Sequence, residues 1–417
     1  MIILNLSTTD KQGAGSFAAY FNNLFNSKGF KSYLIVKNHS SKQDINTYEY
    51  KFKKYEYIIE KFKRSKLRRN FNESDFEEKY IFYNKYEQST CYSSKSILKL
   101  LPAKPDVIFI HWVSGFVNYK IIRELKILTN AQIIILMIDN APITGGCHYP
   151  WDCKGYIYEC KDCPAVIDGN RDLAHNIFLF KRRYVYGDEK VIAFSNKDFA
   201  RLNTASLFKN NPKFSIVAPV NENKFKPLID TIRYQDLKQQ FGLSTNKTLI
   251  LVAATFLNEE RKGMKLLLKA LKELDKSDFC LLIAGNNTLD VENYNYRSLG
   301  YINEEELITS FQIADVFACP TIEDSGPIMI NQSIMTGTPV VAFKTGVAED
   351  IVIENETGYL AEKGDYVEFA NGLKRIISQN SIERQKMKQN CRNFALKTYS
   401  EDVFFNRIEQ IISNDTN

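Results

Sequence analysis

Short apolar runs, each too brief for a helix, alternate along the chain with segments whose apolar residues recur at helical spacing. That alternation restricts the fold more than any other feature. Residues 2–6, Ile-Ile-Leu-Asn-Leu, read as a buried strand. The turn Gln12-Gly13-Ala14-Gly15-Ser16 follows. Phe17, Tyr20, Phe21, Leu24 and Phe25 then mark a helix over 17–28, with Gly29 where a left-handed cap belongs. Residues 32–36 form the next strand. Strand, crossover helix and strand make a βαβ unit, which demands a parallel sheet and a right-handed crossover. Runs at 106–111, 132–138, 191–194 and 214–218 extend that sheet. After the polar stretch 221–227 the pattern restarts, with strands at 248–253, 279–284, 314–320 and 340–343, a helix over 264–274 and a helical pattern over 384–412. The expected fold class is α/β: two doubly wound domains facing a central cleft. The N-terminal domain spans 1–205 and the C-terminal domain 206–394, with a last helix over roughly 395–417 packing back on the first.

The chain has 417 residues and a net charge of +6, ample for two cores and too mild to argue for nucleic acid as a partner. No run approaches the roughly 20 apolar residues that span a bilayer, and nothing at the start resembles a secretion signal. The expected location is the cytoplasm. Residues 51–70 interleave lysines and arginines with Phe52, Tyr55, Tyr57, Ile58, Ile59, Phe62 and Leu67. Such a stretch suits the inner face of an anionic membrane as a peripheral contact; its plain alternative is a solvated helix face or loop.

Two motifs in the second half suit a diphosphate. In Thr321-Ile322-Glu323-Asp324-Ser325-Gly326-Pro327-Ile328-Met329-Ile330-Asn331-Gln332, Ser325 is a candidate helix cap, Pro327 suits a first turn and Gly337 suits the far end, which predicts a helix over 327–336. The first-turn amides of Ile328, Met329 and Ile330 would carry partial positive charge toward a phosphate, Gly326 would let it approach and Gln332 could reach a ribose. In residues 255–263, Arg261 and Lys262 can neutralise two phosphates from the end of a strand. Each motif also has a bland reading, an ordinary turn or a pair of solvated cations.

Taken in order, Arg261-Lys262-Gly263, Leu299-Gly300-Tyr301-Ile302, Ala314-Asp315, Asp324-Ser325-Gly326-Pro327, Gln332, Gly337-Thr338-Pro339-Val340-Val341-Ala342-Phe343 and Asn355-Glu356-Thr357-Gly358-Tyr359-Leu360 resemble the signature region of glycosyltransferase family 4. The resemblance implies the GT-B fold of two Rossmann-like domains, a nucleotide diphosphate sugar as donor, retention at the anomeric carbon and no catalytic metal. It implies donor contacts from Arg261, Lys262, Gly300, Tyr301, Ser325, Gly326, Pro327, Ile328, Met329 and Gln332, with Asp324 beside the donor sugar and Lys262 on the leaving phosphate. The chain departs from the family pattern where Asp324 and Gln332 replace a pair of glutamates and Leu257 replaces an arginine.

In the first half, the loop with Gly13 and Gly15 resembles the family's N-terminal glycine-rich loop, which implies that Gly13 and Gly15 lie close to the donor phosphates and the acceptor. His111 and Asp139 follow predicted strands, where ligand-facing residues belong. The run Asp139-Asn140-Ala141-Pro142-Ile143-Thr144-Gly145-Gly146-Cys147-His148-Tyr149 resembles a subset acting in surface-polysaccharide synthesis, which carries a histidine where this chain has Ile138. Asp139 is the first choice for meeting an acceptor hydroxyl, and His111 is a second catalytic candidate or a core histidine. Eight cysteines in such a chain point to metal binding or burial before disulfides. Cys147, Cys153, Cys160 and Cys163 are close in sequence, the last two at the spacing of a metal knuckle, and could hold a structural zinc or stand as plain thiols. The expected function is transfer of a hexose-type sugar to a glycan or lipid-linked acceptor. A sugar-nucleotide epimerase, or a noncatalytic partner of a membrane glycan-assembly complex, are the alternatives.

Overall fold

The structure is a computed structural model that describes residues 1–40, 45–52, 58, 62, 73–89, 91–167, 172–228, 236–239 and 247–413. Most of the basic stretch 51–70 lies outside the described residues. The chain divides into two compact units, one of Met1–Phe194, Asp198–Ser215 and Ile411–Asn417, the other of Ser195–Lys197 and Ile216–Gln410.

The first unit is built on a seven-stranded sheet of order β3-β2-β1-β4-β5-β6-β7. Its strands are β1 (Ile2–Thr9), β2 (Lys31–Asn38), β3 (Thr47–Glu49), β4 (Val107–Ile110), β5 (Gln132–Met137), β6 (Lys190–Ala193) and β7 (Lys213–Ser215). The helices are α1 (Gln12–Ser27), α2 (Ser94–Leu98), α3 (Tyr119–Thr129), α4 (Leu173–Tyr184) and α5 (Asn196–Thr204). Every neighbouring pair of strands is parallel. All four residues of β4 and of β6 are buried, because helices cover both faces of a parallel sheet; hence the continuous apolar runs in the sequence. The order reverses between β1 and β4, the switch point beyond which such sheets bind ligands.

Helix α1 begins at Gln12 rather than at 17, with a kink at Gly13 (φ 41°, ψ −109°). Gly15 is fixed by packing: a Cβ there would stand 2.8 Å from both the Cγ2 and the carbonyl oxygen of Thr9. Beneath α1 lies a buried polar cluster. Asn5 Nδ2 donates to Ser32 Oγ at 2.9 Å and to Asn22 Oδ1 at 3.3 Å, and Ser32 Oγ donates to Asn22 Oδ1 at 2.8 Å. These bonds join β1, α1 and β2 where an unpaired polar group would cost about 1–3 kcal/mol.

The second unit has a six-stranded parallel sheet of order β10-β9-β8-β11-β12-β13. The strands are β8 (Thr248–Phe256), β9 (Phe279–Asn286), β10 (Tyr296–Gly300), β11 (Val316–Cys319), β12 (Val340–Phe343) and β13 (Gly358–Ala361). The helices are α6 (Met264–Leu271), α7 (Glu304–Ile313), α8 (Ile328–Met335), α9 (Ala348–Ile351), α10 (Tyr366–Ile377), α11 (Ser381–Tyr399) and α12 (Glu401–Ser413), the last of which passes into the first unit at Ile411. The order here reverses between β8 and β11. The single helical pattern read over 384–412 is two helices, because Ser400 leaves the helical region (φ −59°, ψ 162°) and turns the chain. Strands β3, β10 and β13 escaped the sequence pattern; β10 is a largely exposed edge strand without an apolar run. No helix among the described residues is long and apolar enough to cross a membrane.

Replacing Gly15 by Ala forces α1 away from the end of β1. The expected cost is about 1–3 kcal/mol, read as a lower denaturation midpoint in urea.

Candidate functional site

The residues of interest in the second unit gather where β8 and β11 end. A 3-10 turn, Glu260–Lys262, follows β8 and closes on Gly263 in the left-handed region (φ 67°). A Cβ at Gly263 would stand 1.9 Å from the carbonyl oxygen of Pro320, so only glycine lets the two chain segments meet. Their contact is sealed by the amide of Ile322, which donates to the Arg261 carbonyl at 2.8 Å. The two motifs read separately in the sequence are thereby brought together.

Their side chains converge as well. Arg261 Nη1 and Lys262 Nζ both donate to Asp324 Oδ2, at 2.6 and 2.8 Å, and Arg261 Nη2 pairs with Glu259 Oε2 at 2.6 Å. Burial acts to raise the Asp324 pKa, but Lys262 and then Arg261 outweigh it and hold the carboxyl at about 2. The two cations are therefore not free in solvent. Asp324 fixes them in place, and a bound diphosphate has to share them with it. Glu323, fully buried, lies beside this group with Lys363 Nζ at 3.8 Å.

Helix α8 starts one residue later than the motif indicates. Its N-cap is Pro327 (φ −63°, ψ 98°), and no side chain caps it. Ser325 therefore does not cap the helix; the turn is closed instead by Asp324 Oδ1, which accepts from the Gly326 amide at 3.3 Å. Ile330 is also unlike the expectation, since its amide donates to the Pro327 carbonyl at 2.8 Å. The amides of Ile328 and Met329 are the first-turn donors with no acceptor inside the helix. At Gly326 a Cβ would meet only Val347, at 3.7 and 3.9 Å, so the fold itself does not require glycine there. Gly346, which sequence reasoning missed, does face a requirement: at φ 53° its Cβ would stand 2.8 Å from the Asp324 carbonyl oxygen and 3.0 Å from that of Ser325. Its signal was the Thr345-Gly346 pair just after β12. Gln332 keeps its Oε1 buried without a hydrogen-bond partner among the described residues. Gly300 (φ 66°) ends β10 and the exposed Tyr301 follows it, at the same carboxyl end of the sheet but on its edge strand.

In the first unit the structure moves two candidates inward. His111 is 3 % exposed, ringed by Phe17 and Phe21, with Nε2 3.1 Å from Asn5 Oδ1. Because Asn5 Nδ2 is spent on Ser32 and Asn22, its Oδ1 accepts, and His111 carries its proton on Nε2. Burial lowers the His111 pKa to about 3, so the ring is a neutral part of the core rather than an acid or base at neutral pH. Asp139 is 6 % exposed and both its oxygens are engaged: Oδ1 accepts from the Ala141 amide at 2.8 Å, and Oδ2 lies 2.6 Å from His148 Nδ1. Asn84 fixes the far side of that imidazole. Its Nδ2 donates to Glu87 Oε2 at 2.8 Å, and its Oδ1, which accepts from Ser114 Oγ at 2.6 Å, lies 3.0 Å from His148 Nε2. Asp139 thus orients His148 and the loop after β5. Gly13 and Gly15 shape the start of α1, as described above. Cys147, Cys153, Cys160 and Cys163 are free thiols that come together in the same loop region. Burial pushes Cys160 up to about 12 and Cys163 up to about 11, which makes them poor nucleophiles.

The Asp324 pairing gives stability a pH signature. A carboxyl whose pKa is depressed on folding contributes stability that is fully present above its unfolded value, about pH 4, and lost as pH falls through about 2. The contribution is on the order of 2 kcal/mol. Urea unfolding from pH 5 to 2 should show a shallower acid slope in Asp324→Asn than in the unaltered protein.

Residues 234–394 match the family model described as "Glycosyl transferases group 1". A D-inositol 3-phosphate glycosyltransferase of Corynebacterium diphtheriae is 28% identical over 145 residues, 30% of this chain and 34% of that protein. The capsular polysaccharide biosynthesis glycosyltransferase CapM of Staphylococcus aureus is 23% identical over 139 residues, 33% of each. The matched stretches therefore span about a third of these curated relatives. Among solved structures, Anabaena Alr3699/HepE in complex with UDP and glucose superposes with a TM-score of 0.67 at 13% identity, covering 99% of both chains. The second unit accordingly carries a glycosyl transferases group 1 domain, within a chain whose two parallel α/β units have the GT-B fold of the solved glycosyltransferases.

Proposed function

We propose that this protein is a retaining glycosyltransferase that moves a hexose-type sugar from a nucleotide diphosphate sugar to a glycan or lipid-linked acceptor in bacterial surface-polysaccharide synthesis. One observation carries the reading. At the β8–β11 switch point, inside the segment that matches the group 1 model, Arg261 and Lys262 are fixed by Asp324 close in the chain to the start of α8. The capsular relative and the UDP-bound and glucose-bound structural neighbour support the substrate class.

The chemistry follows from charge. When the bond between the anomeric carbon and the phosphate oxygen breaks, negative charge collects on the departing diphosphate. Arg261, Lys262 and the amides of Ile328 and Met329 supply positive charge and N–H donors for it. Because Asp324 has already gathered the two cations, little reorganisation is needed as that charge develops. Gln332 Oε1, buried and unpartnered among the described residues, can accept from a ribose hydroxyl. Retention is the outcome of attack on the face the leaving group departs from. The cytoplasmic location, and the basic stretch 51–70 as a contact with an anionic membrane face, belong to the same proposal.

A panel of UDP-, GDP- and ADP-sugars, read by thermal shift and then by transfer assay, tests it. One nucleotide class should stabilise the protein, and Lys262→Ala should still fold, with a lower melting midpoint because Asp324 loses a partner, yet lose about 10²–10³-fold in turnover at a temperature where it is folded. No shift with any sugar nucleotide, or near-normal turnover of the variant, would refute the reading. Gly326→Ala provides a finer probe. Its Cβ has room in the protein, so unfolding should change by less than about 0.5 kcal/mol. Donor affinity should still drop about tenfold if the diphosphate backbone passes over that residue.

A further inference from the structure

The stretch 138–172 joins β5 to α4, and among its described residues only two 3-10 turns, Ala141–Ile143 and Gly155–Ile157, have regular structure. A loop of that length inside a compact unit needs something beyond its own hydrogen bonds to hold it. Lys181 supplies part, its buried ammonium donating to the carbonyls of Ala141 at 2.7 Å and Thr144 at 3.0 Å. Bridges from Phe82 to Cys147 and from Phe76 to Val166 supply more. The rest of the loop turns around four sulfurs.

Cys147, Cys153, Cys160 and Cys163 all line one cavity of about 10 Å³, which Phe82 and Tyr156 help to close. The space is about one water in size, but thiols and rings give a water few partners. Backbone amides are aimed at the sulfurs. Gly145 donates to Cys160 Sγ at 3.1 Å, Gly155 to Cys153 Sγ at 3.3 Å, and the amides of Ala165 and Val166 to Cys163. A neutral thiol is a weak acceptor, whereas a metal-bound thiolate is a charged one that such amides stabilise. The backbone is also strained here: Trp151, Glu159, Cys160 and Asp162 all sit in the left-handed region, at φ 53°, 61°, 54° and 51°. Non-glycine residues hold that conformation at a cost, and only where their surroundings over-determine it.

We propose that Cys147, Cys153, Cys160 and Cys163 form a structural site for one zinc ion that staples the loop between β5 and α4. Four-sulfur ligand sets select zinc or iron–sulfur centres, and this cavity has room for a single ion but not for a cluster. On binding, four S–H bonds are lost, four Zn–S bonds of about 2.3 Å form, and four protons pass to solvent. The product is a dianionic centre, and Lys181, electrostatically coupled to Cys147 and Cys160, offsets part of its charge. Among the described residues, no group of three or more His, Cys, Asp or Glu is placed so that it could hold a metal ion as it stands, so the four sulfurs have to move to form the site. A change of one χ1 rotamer carries a cysteine sulfur by about 3 Å, which lets the set close on the cavity. The site lies wholly in the first unit, so it stands or falls independently of the donor reading.

The test is elemental analysis of the full chain purified without chelator, by inductively coupled plasma mass spectrometry, together with a count of thiols reactive under native conditions. The expected result is about one zinc per chain, released into a colorimetric zinc indicator as about four equivalents of a mercurial cap the ligand thiolates. Cys160→Ser/Cys163→Ser should lower the zinc content at least about tenfold, while Cys91→Ser should keep it. Chelation should lower the melting midpoint of the unaltered chain, and zinc alone should restore it. If the double variant does not fold, the ejection measurement on the unaltered chain decides. Reduced protein that takes up no zinc on reconstitution, iron in its place, or zinc retained by the folded double variant would each overturn the proposal.

Discussion

The second unit's site depends on one close approach of backbone to backbone. Gly263 stands so near Pro320 that a side chain of any kind at 263 would collide with the carbonyl oxygen. That contact sets Arg261 and Lys262, at the end of β8, against the segment that follows β11. Once they are there, Asp324 becomes their common partner and the whole group is taken largely out of water. A buried carboxylate facing two cations is an arrangement in which each charge pays for the others' desolvation; removing one partner would leave the rest exposed to that cost. Gly346 repeats the device from the far side, pressing on the carbonyls of Asp324 and Ser325.

The first unit solves a similar problem with neutral and charged groups sunk in its core. Glu87 and Lys181 are both buried, which raises the carboxyl's pKa and lowers that of the ammonium. Each finds partners in the polypeptide: Glu87 accepts from Asn84, and Lys181 donates to two loop carbonyls. His148 lies in the middle, between Asp139 and Asn84. Such a network is costly when half satisfied and rigid when complete. Its work is to fix a loop that lacks regular structure, the same loop in which the four clustered cysteines lie.

Where the sequence was legible, it was because one physical rule left a local trace. Strands buried on both faces, such as β4 and β12, appear as unbroken apolar runs. The exposed edge strand β10 leaves no such trace, and β3 spans only Thr47–Glu49. The helix of 384–412 was legible as helical; its break at Ser400 was missed, although Ser400 followed by Glu401-Asp402 is the local signal of a new helix start, and the Ser400 hydroxyl accepts from the Val403 amide. For the site, the residue types were readable at Arg261, Lys262, Asp324 and Gln332. The cap at Pro327, the inward place of His111 and the internal pairing of Asp139 were not.

The sequence by itself determined the alternation of strand and helix, hence two parallel sheets, because hydrophobic periodicity is a property of neighbouring residues; the strand order, and with it the switch points, came from the fold. The sequence also set out which cations, amides and thiols were present to be used. Tertiary structure decided how they are used. Whether a carboxylate meets solvent, a cation or a histidine depends on segments far apart in the chain: Asp324 answers to Arg261 and Lys262, Asp139 to His148, and His111 to Asn5. Charge and hydrogen bonding act across space rather than along the chain, and only the folded sheets bring those partners within reach.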